Sequence, residues 1–362
     1  KNCMISFFPI KKTDLVILDD NYSNLKLKKI NFASVKLEKI NIFCLISSVK
    51  NYFFNNKKKL NLRKIYKQTM LRMYKPVIAI THHLSTQAQD CKNLCPEIKL
   101  LVYQFSFFYL KTLKKLKVNC DFFFLNHQKD KSYLIKNNVI KKEKLLISGS
   151  IKNNERQDFT KKKNLDILYI SQFSPDITSK KHKESEKYII KLIDDFCIKN
   201  KYKFNIALKY CRKDKKKYNK SKLKEEMRYI RGLIKSEIKL SCSDSLKLAC
   251  ESKIIITLSS NFAMELISRR HKVLFLPFDD SPRNTINYYL PKKNLINVHR
   301  NKNKKEIFKK IKLLLNIDNN KWMKYLNKSK YFKFRFDKDN RFFKKFIINL
   351  LKKENQLLKA RS

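Results

Sequence analysis

Short apolar runs rich in β-branched residues recur along the chain, separated by longer stretches in which apolar positions return every three or four residues. A run of four to eight apolar residues suits a strand buried on both faces, and the longer period suits a helix packed against it. Alternation of the two predicts βα units around parallel sheets. In the first half the predicted strands cover 15–19, 77–81, 100–104, 121–125 and 145–148, with helical patterns over 60–74, 107–117 and 128–138. The segment KNNERQDFTKKKN at 152–164 is polar and aperiodic and reads as a linker. Beyond it, strands are predicted at 167–171, 204–209, 238–241, 254–258 and 273–277, with helices near 183–199, 221–235, 244–251 and 261–270. The end of the chain is helical in pattern and includes a basic amphipathic segment at 340–357.

The expected organisation is α/β: two Rossmann-like lobes with parallel sheets at 1–154 and 165–330, and a helical tail at 331–362. A pair of such lobes predicts a cleft with ligands at the carboxyl ends of the strands.

Composition adds a core and a charge. Of the 362 residues, 43% are hydrophobic and 12% aromatic, enough for two domains. Lys and Arg total 84 against 31 acids, a formal charge of +53, which raises nucleic acid or an anionic membrane as a partner. Lys, Asn and Ile are abundant in every segment, so a solvated lysine coat explains the charge as well. The nine cysteines are scattered without CxxC units and read as reduced thiols in a reducing compartment, with a cytoplasmic location expected. Cys91 and Cys95 have zinc-like spacing, but no second Cys/His pair sits at a finger-like distance, so no metal is expected. The opening CMISFFPI is short and followed by Lys11 and Lys12, unlike a signal peptide. Only Gly149 and Gly232 occur, which excludes the glycine-rich loops of Walker ATPases and nicotinamide dehydrogenases.

Candidate chemistry gathers at strand ends. In IIITLSSNFAME at 254–265, an apolar run meets Ser259, Ser260 and Asn261, and a helix then starts. Hydroxyls and free N–H groups at a helix N-terminus suit a phosphate; the same three residues also suit simple capping. Asp19, in Asp19-Asp20-Asn21, can serve as a general base or merely start a turn, and His82 with His83 can bind an oxygen or cap a strand end. Gln172 follows ILYIS, and Lys209 and Arg212 follow FNIAL, where cations can offset phosphate charge. Asp279 and Asp280 follow VLFLPF as a metal or sugar contact, or as an acidic loop.

Several segments in order resemble a family of bacterial surface carbohydrate biosynthesis transferases: DLVILDDN at 14–21, YKPVIAITHH at 74–83, LLVYQFS at 100–106, DFFFLNH at 121–127, LLISGSIKNN at 145–154, DILYISQF at 166–173 and IIITLSSNFAMELISRRHKVLFLPF at 254–278. The Gly149–Asn154 motif followed by ILYISQF is the most specific part. The serine turn with Glu265 is similar to the donor lobe of GT-B glycosyltransferases and teichoic-acid polymerases. The resemblance implies a GT-B fold, a donor phosphate on Ser259 and Ser260, and a ribose on Glu265. Two departures stand out: Gln104-Phe105-Ser106 replaces a Gln-Asn-Gly turn, and Arg270-His271 replaces the glycine after the serine-turn helix, which removes a tight turn.

The expected activity is transfer of a sugar or polyol phosphate from a nucleotide-activated donor to a surface glycan or its lipid-linked precursor. The donor contacts are Ser259, Ser260, Asn261, Glu265, Gln172, Lys209 and Arg212, and Asp19 and His82 are the catalytic candidates on the acceptor side. Neither metal nor cofactor is required, because N–H groups and cations can offset the leaving-group charge. Peripheral contact with an anionic membrane is expected through the coat or the 340–357 helix, which alternatively packs as a structural clamp. The alternatives are a sugar-nucleotide epimerase of the same fold and a basic nucleic-acid-binding protein.

Overall fold

The computed structural model describes residues 4–6, 11–18, 32–34, 39–54, 62–84, 91–108, 113–156, 163–175, 179–211, 219–238, 240, 243–279, 285–329 and 331–359. The chain forms two compact units. Unit 1 comprises 1–105, 115–155 and 337–362; unit 2 comprises 106–114 and 156–336.

In unit 1, β1 (Met4–Ser6) pairs with β4 (Lys39–Asn41). A six-stranded parallel sheet is built from β2 (Leu15–Ile17), β3 (Phe32–Ser34), β5 (Ile78–His82), β6 (Lys99–Tyr103), β7 (Phe122–Leu125) and β8 (Leu145–Ile147), in the order β3-β2-β5-β6-β7-β8. Its inner strands are buried on both faces, with Leu15, Val16, Ile78, Ala79, Leu100, Leu101, Phe123 and Phe124 all at 0% exposure, which is why they read as unbroken apolar runs. Helices α1 (Ile42–Phe54), α2 (Leu62–Tyr74), α3 (Gln128–Lys136) and α4 (Ile151–Asn154) belong to this unit.

Unit 2 holds a four-stranded parallel sheet of β9 (Leu165–Ile170), β10 (Phe204–Ala207), β11 (Ser252–Thr257) and β12 (Val273–Phe275), in the order β10-β9-β11-β12. Its helices are α5 (Lys180–Asn200), α6 (Asn219–Arg231), α7 (Ser245–Glu251), α8 (Asn261–Ser268), α9 (Thr285–Tyr289), α10 (Lys304–Asn316) and α11 (Asn319–Lys328). α5 lays Ile189, Ile190, Ile193, Phe196 and Cys197 into the core around Ile167, Tyr169, Ile254 and Ile256.

The last helix, α12 (Arg341–Lys359), returns to unit 1. Phe343, Ile347 and Leu351 are buried in the cluster of Leu15, Ile17, Ile80, Leu101 and Phe124, and the Phe343 ring stands edge-on to Phe124 at 4.7 Å. The apolar side of the 340–357 helix is therefore core and is not offered to a membrane.

The predicted linker begins too early. Ile151, Asn153 and Asn154 of α4 are buried, and the Asn154 amide donates to the Ser148 carbonyl and to Asn340 Oδ1. Asn154 Oδ1 in turn accepts Asp337 N–H, and Asn340 donates to the Ile151 carbonyl. These asparagines read as polar filler, yet they fasten the returning C-terminal segment. Two further predictions do not hold at the described residues: Ile238 and Leu240 carry no strand, with 239 and 241 outside the described residues, and the 107–117 helix does not start at Phe107 or Phe108, which are buried in unit 2 with Phe108 N–H bonded to the Tyr289 hydroxyl. Among the described residues Cys44, Cys91, Cys95, Cys120, Cys197 and Cys250 are free and buried. Burial pushes the Cys91 thiol up to about 12, so it is held protonated.

Candidate functional site at the carboxyl edge of the second sheet

All four strands of unit 2 are parallel, so their carboxyl ends share one edge. From β9 the chain moves outward to β10 on one side, and from β11 it moves to β12 on the other. The connections diverge between β9 and β11, whose last residues, Ile170 and Thr257, are register partners. Such a switch point opens a crevice at the strand ends, where open α/β sheets bind ligands. Ser171 and Gln172 leave one side of it, and Ser259 and Ser260 the other.

The turn after β11 forms because Ser260 N–H bonds back to the Thr257 hydroxyl (3.2 Å) and Ala263 N–H closes on the Ser260 carbonyl (3.1 Å). Ser260 is the N-cap of α8, yet its side chain makes no capping hydrogen bond. The N-caps Ser179, Asp244, Asn303 and Asp318 elsewhere in this unit all accept a first-turn N–H. The first turn of α8 is thus unsealed by its own cap residue, at the positive end of the helix dipole. Ser260 is buried, while Ser259, Asn261 and Glu265 are half-buried.

α8 is firmly seated. The Arg156 guanidinium lies 5.4 Å from the Phe262 ring centroid, and Arg269 stacks on Phe336 while donating to the Arg156 carbonyl. At its far end Arg270 adopts φ 71°, with Arg270 N–H on the Ile267 carbonyl and His271 N–H on that of Leu266. That is a Schellman closure made without glycine. The tight turn expected to be lost is therefore present, and Trp322 Nε1 donating to the Arg270 carbonyl helps to hold it.

Two buried carboxylates that sequence reasoning missed lie behind the neighbouring loops. Glu226 of α6, at 0% exposure, accepts the Ser171 hydroxyl (2.5 Å) and the N–H groups of Lys209 (2.9 Å) and Tyr210 (3.0 Å). Glu186 of α5 accepts Gln172 N–H (2.6 Å) and the Tyr169 hydroxyl (3.3 Å). Burial raises the pKa of both acids, that of Glu186 to about 7, with the charge of Glu226 adding to the shift of Glu186 and these donors and Lys209 opposing it. A signal existed: Glu186 shares a helix stripe with Ile189, Ile190 and Ile193, an unusual place for an acid. The two carboxylates pin the backbone after β9 and β10, so those N–H groups are already engaged.

At the same edge His182 Nδ1 lies 3.0 Å from Asp279 Oδ2. Burial lowers the His182 pKa, Asp279 opposes that shift, and the Lys209 charge adds to it. Asp279 is thereby engaged as a partner for histidine. Gln172 is half-buried with its amide on the Ser171 carbonyl, and Lys209 is exposed with its ammonium 5.7 Å from the Tyr210 ring centroid. Arg212 and Asp280 lie outside the described residues.

In unit 1 the switch point falls between β2 and β5. His82 ends β5; its Nδ1 accepts Leu84 N–H, and its ring packs near Tyr103 and Phe105. Asp19, which follows β2 by two residues, lies outside the described residues. His83 is buried, accepts Phe105 N–H at Nδ1, and has its pKa lowered to about 4, chiefly by burial, so it is neutral. Gln104 braces two loops, accepting Asn126 N–H and donating to Asp130.

No protein-family model matches this sequence, and no curated protein matches it either. Solved structures do. The UDP-GlcNAc 2-epimerase of Methanocaldococcus jannaschii, in complex with UDP-GlcNAc and UDP, aligns at TM-score 0.53 and 13% identity over 94% of this chain and 100% of that one. A putative UDP-N-acetylglucosamine 2-epimerase from Listeria monocytogenes aligns at 0.54 and 12%, over 92% of this chain and 94% of that one. At such identity the likeness speaks for the fold: the chain is an α/β protein of GT-B type with two Rossmann-like parallel-sheet units.

Proposed function

We propose that this protein is an enzyme that takes a nucleotide-activated sugar, or a nucleotide-activated polyol, at the carboxyl edge of the unit 2 sheet and transfers the sugar, or the polyol phosphate, to a surface glycan or its lipid-linked precursor. The observation that carries this reading is the first turn of α8, which starts at the β9/β11 switch point and whose N-cap Ser260 makes no side-chain capping hydrogen bond. A diphosphate there would meet helix N–H groups and the hydroxyls of Ser259 and Ser260, with Asn261 beside them. Glu265, one turn on, would take the ribose, and Gln172, Lys209 and Arg212 would neighbour the phosphates. Glu186 and Glu226 are positioning residues in this scheme, since they hold the loops that present Gln172 and Lys209. His82, with Asp19, would serve the acceptor in unit 1.

A second reading is favoured by the overall fold: the structures reported above are of UDP-GlcNAc 2-epimerases and align over nearly the whole chain. Incubation with UDP-GlcNAc alone separates the two. An epimerase changes the sugar without any acceptor, whereas a transferase leaves it intact until an acceptor glycan is added.

A further inference from the structure

α1, the 13-residue helix IFCLISSVKNYFF, packs with its apolar side outward. Its two fully buried residues are Cys44 and Ser48, both at 0% exposure, with Leu45, Ser47, Asn51 and Tyr52 half-buried beside them. Cys44 N–H bonds to Asn41 Oδ1, the Ser48 hydroxyl to the Cys44 carbonyl, and the Asn51 amide to the Thr69 hydroxyl of α2. Outward stand Phe43, Ile46, Val49 and Phe53, exposed by 46, 61, 37 and 67%. At the ~100° turn per helical residue these four fall within about 120° of arc, so they form one stripe. Burying only a thiol and a hydroxyl completely while leaving two phenylalanines and two branched side chains in water departs from what a helix does in a self-contained domain, and it marks an interaction surface.

The charge around the stripe identifies the occupant. Lys50 lies on the outward side of α1, and Arg63, Lys64 and Arg72 are exposed on α2, which packs against it. No Asp or Glu occurs from Lys39 to Gln89, in a chain that carries 31 acids in 362 residues. A second copy would bring the same cationic face against this one, which like-charge repulsion disfavours. Nucleic acid would answer the charge and leave four apolar side chains in water. A bilayer with anionic headgroups answers both features. At ~1.5 Å per residue α1 is about 20 Å long, short of the ~30 Å hydrocarbon core, so it would lie in the interface plane. Among the described residues no helix is long and apolar enough to cross a membrane.

We propose that α1, flanked by the cations of α2, docks this protein on an anionic lipid surface. Flotation of the full chain with vesicles of equimolar phosphatidylglycerol and phosphatidylcholine reads the binding. Wild type floats and remains partly bound as salt rises, because apolar insertion is not screened. The double variant Ile46→Ser with Phe53→Ser loses affinity by about tenfold or more. Both residues are mostly in water, so the fold is not at stake. Leu313→Ser, which removes an exposed apolar residue from α10, leaves flotation unchanged. Phe53→Trp gives blue-shifted emission on the same vesicles as the indole leaves water. The proposal is overturned if wild type stays in the lower fraction, if the double variant floats like wild type, or if the Phe53→Trp emission does not move. Light scattering that shows the double variant converting a dimer into a monomer would also overturn it, in favour of a second copy.

Discussion

Replacing Glu186 with Gln removes a buried titration while keeping an oxygen for Gln172 N–H and the Tyr169 hydroxyl. Burial, with Glu226 nearby, lifts the Glu186 carboxyl from the ordinary 4.5 to about 7. A carboxylate whose folded pKa is raised binds its proton more tightly in the native state. Its contribution to stability is therefore full below about 4.5 and is lost as pH rises through about 7. A shift of that size corresponds to roughly 3 kcal/mol at 25 °C. Urea unfolding of wild type and Glu186→Gln at a series of pH values reads the effect, because the other titrations, apart from that of the coupled Glu226, are common to both and cancel in the difference. The variant should gain on wild type by roughly 3 kcal/mol between pH 4.5 and pH 8, most of it before pH 7. A difference that is flat with pH, or that moves the other way, would show that Glu186 is not a buried acid behind Gln172.

Glu226→Ala strands three donors, the Ser171 hydroxyl and the N–H groups of Lys209 and Tyr210, and should cost about 3–5 kcal/mol in urea unfolding. A loss below about 1 kcal/mol would mean that those loops hold themselves. Arg270→Gly relieves a left-handed residue that has a side chain, and should raise stability by about 1 kcal/mol despite the lost contact with Asn327. An unchanged or lowered midpoint would indicate that the contact with Asn327 fully compensates the strain.

The parallel cores were legible because the parts of strands buried on both faces are apolar, as at Leu15–Ile17 and in the runs 167–170 of β9 and 254–256 of β11. β3 was not, since Phe32–Ser34 is three residues long and one of them is Ser. α1 was missed because its apolar residues face outward, so a period read as core would point the wrong way. In the site, the serine turn was visible as a local strand-turn-helix pattern. Glu186 and Glu226 were not singled out, because their partners lie 14 to 55 residues away and only the fold brings them together. Asn154 and Asn340, 186 residues apart, escaped for the same reason. Gly-to-Arg at 270 misled because a left-handed turn favours glycine without requiring it.

The central claim is a nucleotide-sugar site at the first turn of α8, and thermal denaturation of the full chain with UDP, GDP, CDP and CMP compounds tests it most directly. At least one of these should raise Tm in proportion to the logarithm of its concentration. Glu265→Ala, and Ser259→Ala with Ser260→Ala, should abolish most of that rise while leaving the ligand-free Tm close to wild type. No rise with any of the compounds, or a rise that survives both sets of substitutions, would contradict it.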